Sequence, residues 1–383
     1  MKNGIILFLA FGLLIVIANA SYGENVNSTS YEEIEAAVAD LRKENDALRG
    51  RLGDLESTME VSFLNNQACH GCGNSLNDCS CENSGGWLAG VSLYNLKPHW
   101  KNNPAYISFN GDNYERVEIN WDHKTAWDVW LGRVNDSGFG WRTRYWEFDH
   151  GLEFSPVVSG NAYIPVPMMP RDGYLATGNL SQMTTSLELG VWDFEATQSF
   201  FVRGWQCEVA GGLRYAHTRQ TYNVSETGDY GTVLYYQTIN SRHNFDGCGP
   251  VVSLEGRRSL SPDWLSFFAK SRGSLLGGKA SGYSDLRQEY INPTWTNTKS
   301  YSADENKWDA LAIVDLEIGV RASRSQTSVT TFVELAAVGY MWFGAGNASN
   351  ADFGIGSSTQ YLTSNDNENL GLFGGRLTFG VIY

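Results

Sequence analysis

After residues 1–20 this 383-residue chain contains no apolar run of eighteen residues, so nothing beyond that point reads as a helical membrane span. Basic residues are scarce as well. The chain has 28 Lys and Arg against 42 Asp and Glu, a formal net charge of −14, and a pI near 4.9. It therefore lacks the clustered positive charge that neutralises phosphates, which excludes a nucleic-acid partner. Catalytic signatures are missing too. No G-x-S-x-G elbow or H-E-x-x-H pair occurs, and the six histidines (His70, His99, His123, His150, His217, His243) are scattered. No enzyme, cofactor or metal is expected.

What the chain does have is 13 Trp, 19 Tyr, 18 Phe and 41 Gly. That aromatic content excludes a disordered chain. Yet the mean hydropathy is only −0.30, so the apolar residues are well diluted by polar ones. This combination points to an all-β chain.

The N-terminus sets a compartment. Met1-Lys2-Asn3 is a short positive region, Gly4 to Ile17 is apolar, and Ala18-Asn19-Ala20 matches a small-x-small cleavage site. Residues 1–20 are expected to be a secretory signal peptide. With Lys2 removed the mature chain holds 42 acidic and 27 basic residues, a net of −15.

Residues 21–66 contain a linker and a heptad pattern. Tyr31, Ile34, Val38, Leu41, Asn45, Leu48, Leu52, Leu55 and Met59 alternate at spacings of three and four, a narrow stripe typical of a coiled-coil seam. Asn45 at an a position is a register device, and Ser30 with Glu33 forms a capping box. The implied partner is a further copy of the chain, as a dimer or trimer; an amphipathic helix packed on its own domain is the other reading. Residues 67–85 follow, with Cys69, Cys72, Cys79 and Cys81. In an exported chain closely spaced cysteines favour disulfides, although their spacing also suits zinc.

From Gly86 the period changes to two. Trp308, Ala310, Ala312, Val314, Leu316, Ile318 and Val320 share one face, with Leu311 and Ile313 as exceptions on the other. Ten strands are expected near 86–97, 123–134, 139–150, 181–197, 205–218, 242–258, 264–279, 307–321, 328–343 and 370–383. Residues 98–122 could hold two more and bring the count to twelve. The connections at 135–138, 198–204, 259–263 and 322–327 are short. Those at 98–122, 151–180, 219–241, 280–306 and 344–369 are long and polar.

Strict alternation of short turns and long loops is the pattern of an outer-membrane up-and-down antiparallel barrel over 86–383, in contact with outer-membrane lipid and with its stalk in the periplasm. The chain ends at Tyr383 on an alternating apolar strand. Trp87, Trp141, Trp205, Trp264, Trp308, Tyr340 and Trp342 lie near strand ends, as interfacial girdles require.

Opposite the apolar face the expected lumen residues are Arg142, Arg144, Glu188, Glu208, Arg214, Glu255, Arg257, Asp315, Glu317, Arg321, Glu334 and Arg376. They either line a pore or pair across a narrow interior. The surplus acid lies in the stalk and outer loops, which would favour cations. Cys207 and Cys248 fall on consecutive strands. With a hairpin centred between Thr227 and Gly228 they face each other, and a disulfide is expected.

The strand segments Gly211-Gly212-Leu213-Arg214-Tyr215-Ala216, Phe245-Asp246-Gly247, Gly273-Ser274-Leu275-Leu276 and Asp315-Leu316-Glu317-x-Gly319, together with the stalk, resemble the Legionella-type pore-forming outer-membrane protein family. The likeness is stronger to its stalk-bearing members from planctomycete-like bacteria. It implies a porin-like barrel passing ions or small solutes, and it transfers no catalytic residue. The alternative is a structural anchor that tethers envelope layers, including cell-wall material, through the coiled coil.

Overall fold

The computed structural model describes residues 85–383 apart from 111–112, 156–161, 166–179, 230, 261, 263, 327, 351, 356–359 and 364–367. The expected signal peptide, the coiled-coil seam and the joint holding Cys69, Cys72, Cys79 and Cys81 lie outside the described residues.

The strands are β1 (Gly86–Trp100), β2 (Pro104–Asn110), β3 (Asn113–Glu118), β4 (Lys124–Val134), β5 (Phe139–Phe154), β6 (Ala162–Pro165), β7 (Leu180–Val202) and β8 (Trp205–Asp229). They continue with β9 (Leu234–Ser259), β10 (Leu265–Asn292), β11 (Trp295–Gln326), β12 (Val329–Phe343), β13 (Asp352–Ile355), β14 (Gln360–Thr363) and β15 (Leu370–Ile382). Among the described residues ten of them close an antiparallel barrel in the order β1-β15-β12-β11-β10-β9-β8-β7-β5-β4. β2, β3 and β6 form a separate small sheet, as do β13 and β14. The stretch 98–122 therefore holds strands, but they do not enter the barrel.

First and last strands meet directly. Leu88 lies opposite Ile382, the Trp87 N–H donates to the Tyr383 carbonyl at 2.7 Å, and the Tyr383 N–H donates back at 2.9 Å. The short turns at the other strand ends are set by local chemistry. At 135–138 the Asn135 Oδ1 accepts from the Ser137 and Phe139 N–H groups at 3.0 Å each. Between β7 and β8, Arg203 and Gly204 have φ of 48° and 81°, the pair of positive values that a two-residue hairpin matched to strand twist demands.

Polarity reverses partway along the strands. Nearest the short turns, apolar side chains point outward: Leu213 is 66% exposed, Leu335 62% and Phe194 58%. Left in water each would forfeit about 1.5–3 kcal/mol, and a closed barrel is one of the two architectures that pair every backbone amide in hydrocarbon. Farther from the short turns the apolar residues switch inward. Leu187, Leu189, Tyr222, Ile239, Leu276, Leu286, Leu311, Ile313, Val338 and Trp342 are buried in one core, while Arg219, Arg242 and Lys279 face out.

Three expectations are corrected, the first two by this reversal. Segments 219–241 and 280–306 are not loops: β8 and β9 run to a turn at 230–233, and β10 and β11 to one at 293–294. Their outward side chains are polar because water surrounds them there, which hid the strand pattern. β10 and β11 have 28 and 32 residues, against the roughly 9–11 that cross a bilayer. Tyr340 and Trp342 are not girdle residues either. They are 4% and 1% exposed and point inward, whereas Trp87, Trp264 and Trp308 do stand on the outer surface.

The Cys207–Cys248 pairing is the third correction. Cys207 lies opposite Gly256 and Cys248 opposite Tyr215, and both thiols are free. The hairpin closes near Gly231 (φ 81°), four residues beyond the assumed centre, which shifts the register by eight. Eight residues of strand separate the two sites by about 26 Å, far beyond disulfide reach. Peptide mapping of the unreduced protein is expected to recover Cys207 and Cys248 without a bond between them. A peptide pair linked through these two cysteines would contradict the register.

Candidate functional site in the barrel lumen

At the level of the outward apolar band the lumen is filled by charge. Its carboxylates are Asp128, Asp193, Glu195, Glu208, Glu255, Asp315, Glu317 and Glu334; its cations are Arg142, Arg144, Arg214, Arg257, Lys270, Arg272, Arg321 and Arg376. The two sets are equal in number. Nine strands contribute them, and β1, the tenth, contributes Tyr94, whose hydroxyl donates to Asp128 at 2.7 Å and accepts from Arg144 at 3.1 Å.

Arg214 is the hub. Its guanidinium grips Asp193 through two bonds of 2.7 and 3.1 Å, reaches Asp315 at 2.9 Å, and donates to the Ser274 hydroxyl at 3.2 Å. Arg272 extends the ring, lying 3.1 Å from Glu195, 3.6 Å from Asp193 and 3.7 Å from Asp315. These four side chains (Arg214, Arg272, Asp193 and Glu195) are exposed by 1% or less. A second cluster joins Glu317, Arg376, Glu334 and Arg321, with Arg376 2.6 Å from each of its two carboxylates.

Nearer the short turns the packing loosens. Arg142 bridges Glu195 at 2.8 Å and Glu208 at 2.9 Å, with side-chain exposures of 15% for the arginine and 25% for Glu208. Glu208 lies directly opposite Glu255, a repulsive cross-strand pair held by Arg142 on one side and Arg257 on the other. Side-chain exposure therefore falls from this level to the Arg214 ring. At the rim beside it, the Trp130 and Phe332 rings stack with centroids 6.2 Å apart. Their cross-strand partners are Gly90 and Gly380. A Cβ on either glycine would lie 2.5 or 2.2 Å from a ring atom, so only glycine admits the rings.

Eleven of the twelve expected lumen residues point inward. The exception is Glu188, which lies on the outer surface beyond the apolar band, 3.1 Å from Arg219 and 3.3 Å from His217. Its neighbours Leu187 and Leu189 are apolar but face inward, because it sits past the reversal. Asp128, Asp193, Glu195, Lys270 and Arg272 were missed. Asp193 and Glu195 were legible in the alternation Trp192-Asp193-Phe194-Glu195, with both rings outward. Lys270 and Arg272 were not, since Ala269, Ser271 and Gly273 mark no apolar face.

A charge buried this deeply is stable only with its partners in place. Replacing Arg214 with Met leaves Asp193 and Asp315 facing each other, and is expected to cost about 3–5 kcal/mol of barrel stability. Arg214→Lys, which keeps the charge but loses the two-pronged geometry, is expected to recover part of it. Urea unfolding in micelles reads both; a loss within ~1 kcal/mol for the Met variant would show that the ring does not act as a unit.

The barrel is similar to several solved outer-membrane proteins. It matches the outer membrane protease OmpT from Escherichia coli at 10% identity and a TM-score of 0.36, over 78% of this chain and 96% of that one. A FadL homologue of Pseudomonas aeruginosa matches at 7% identity and 0.21, over 78% and 90%. The toluene transporter TodX of P. putida matches at 5% and 0.21, over 78% and 90%. At such identities and scores these likenesses carry no argument about activity. No family model and no curated protein matches the chain.

Proposed function

We propose that this chain is an outer-membrane barrel closed through its centre, serving as an anchor for the segment that precedes Gly86 rather than as an open diffusion pore. The observation that carries this is the Arg214 ring, whose groups, drawn from β7, β8, β10 and β11, are each 5% exposed or less. The outward apolar band supports the membrane placement, and the expected signal peptide supports export. A coiled coil with its seam at Ile34 to Leu55 would bring copies together and extend the anchor through the periplasm toward the cell wall.

A second reading, porin-like conduction, is favoured by the graded exposure of the lumen charges. Side-chain exposure falls from 25% at Glu208 to 1% at Arg214, and beyond that layer the lumen is packed with the inward apolar core. Conduction would need both to part. The equal numbers of acids and bases in the charged lumen as a whole supply no net charge, so any cation selectivity would come from the outer loops.

Single-channel recording in planar bilayers separates the two readings. The purified full-length protein is expected to show no steady conductance, and the double substitution Asp193→Ala with Arg214→Ala is expected to leave it closed, because the inward apolar core beyond the ring still fills the lumen. Stable, long-lived channels in the unmodified protein would overturn the closed lumen and establish the pore.

A further inference from the structure

Beyond the apolar band, the lumen is crossed by the chain itself. The segment 344–349, between β12 and β13, turns into the barrel, and Ala345, Asn347, Ala348 and Ser349 are each 6% exposed or less. Gln220, inward on β8, clamps it. The Gln220 Nε2 donates to the Ala345 and Gly346 carbonyls at 3.2 Å, and its Oε1 accepts from the Ala348 N–H at 3.2 Å. A second strap, at 102–105, lies over it. Asn347 donates to the Asn102 carbonyl at 2.8 Å and Ser349 to the Asn103 Oδ1 at 3.2 Å, while the Tyr222 hydroxyl donates to the Ala105 carbonyl at 2.5 Å.

His243 forms the rest of the seat. It projects inward from β9, opposite Gln220 on β8 and Gly282 on β10, and is 6% exposed. Its ring lies against Gly346, where a Cβ would come within 2.4 Å of Nε2. Gly346 also has a φ of 70°, so both space and backbone require glycine at the contact. His243 lies five residues beyond Cys248, on the part of β9 past the outward apolar band.

We infer that 344–349 is a latch across the barrel mouth, seated by Gln220 and Gly346, and that protonation of His243 releases it. An imidazolium has two N–H donors to satisfy, and here Nε2 faces the Gly346 Cα rather than an acceptor. The charged groups that face it are Glu305, Lys307 and Asp309 on β11, where Lys307 and Asp309 lie 3.6 Å apart. From the latch side Glu368 is near; its carbonyl accepts from the Gly346 N–H at 3.2 Å and its carboxylate is bonded by Asn102 at 2.6 Å. No carboxylate in this set is placed to receive a His243 proton by a direct bond.

Burial, reinforced by Lys307, pushes the His243 pKa down from 6.5 to about 4. The seated latch thus binds a proton less readily than the released one, in which His243 titrates normally. The seat is fully stable above 6.5 and weakens as the pH falls from there toward 4. Between pH 7 and pH 5 the released fraction should rise about twentyfold, given those two values.

Hydrogen exchange with mass spectrometry on the full chain in micelles tests this, with each rate corrected for intrinsic exchange at its pH. Protection of the peptide spanning 344–350 is expected to drop about twentyfold from pH 7 to pH 5, while β8 peptides around Arg214 keep theirs. His243→Phe, which keeps a ring against Gly346, should abolish the drop. His243→Gln serves as a second non-titrating variant if the first does not fold, with the same expectation. An unchanged latch in the unmodified protein, an equal drop in the non-titrating variant, or loss of protection shared by the Arg214 region would each overturn the assignment. The readout does not depend on conductance, so it stands or falls separately from the closed-lumen reading.

Discussion

The constraint on which the rest of this structure depends is that the outer surface of the barrel changes from apolar to polar partway along its strands. Over the first stretch from the short turns the outer surface is apolar, and beyond it the same surface is polar. Because strand side chains alternate strictly, whatever faces out dictates what is left to face in. Charge accordingly fills the lumen at the level of the apolar band, and Leu, Ile, Trp and Tyr fill it above. The barrel is two architectures joined end to end on the same ten strands: one with an apolar exterior and a charged interior, continued by one with a polar exterior and an apolar interior.

This explains why the lower lumen is built from ion pairs at all. Strict alternation makes the face opposite each outward apolar row polar, and it places sixteen ionisable groups in a narrow interior. Such groups are tolerated only when each is matched, and eight acids against eight bases with Arg214 and Arg376 shared between carboxylates meets that condition. The consequence is a plugged centre. Above it the apolar interior needs a cover, which the straps at 102–105 and 344–349 provide, fastened by Asn103, Gln220 and Asn347 and by hydrogen bonds to the Glu118 and Glu368 carboxylates.

Much of this was legible residue by residue. Leu311 and Ile313, exceptions to the alternation of β11, mark the reversal itself: they are inward apolar residues at the point where the lumen stops being charged. Eleven of the lumen charges were named from parity alone. Glu188 was misplaced because its apolar neighbours Leu187 and Leu189 were read as the outward face, although past the reversal apolar residues face in, and the Cys207–Cys248 pairing failed because a hairpin centre was assumed. A slip of four residues in a turn moves every cross-strand partner by eight, and nothing in a polar, Ser- and Tyr-rich segment marks where the turn lies.

The amino-acid sequence by itself determined the class of fold, the number of barrel strands, the end at which the short turns gather, and the face on which most charges lie. These follow from period-two alternation and from turn residues, which are local properties. Only the tertiary structure decided which charge meets which, how far each strand runs beyond the apolar band, and that two connections fold back into the mouth. Those depend on contacts such as Arg214 with Asp315, 101 positions apart, and Gln220 with Ala348, 128 apart. Such contacts depend on strand register and barrel closure, and no window of sequence contains either.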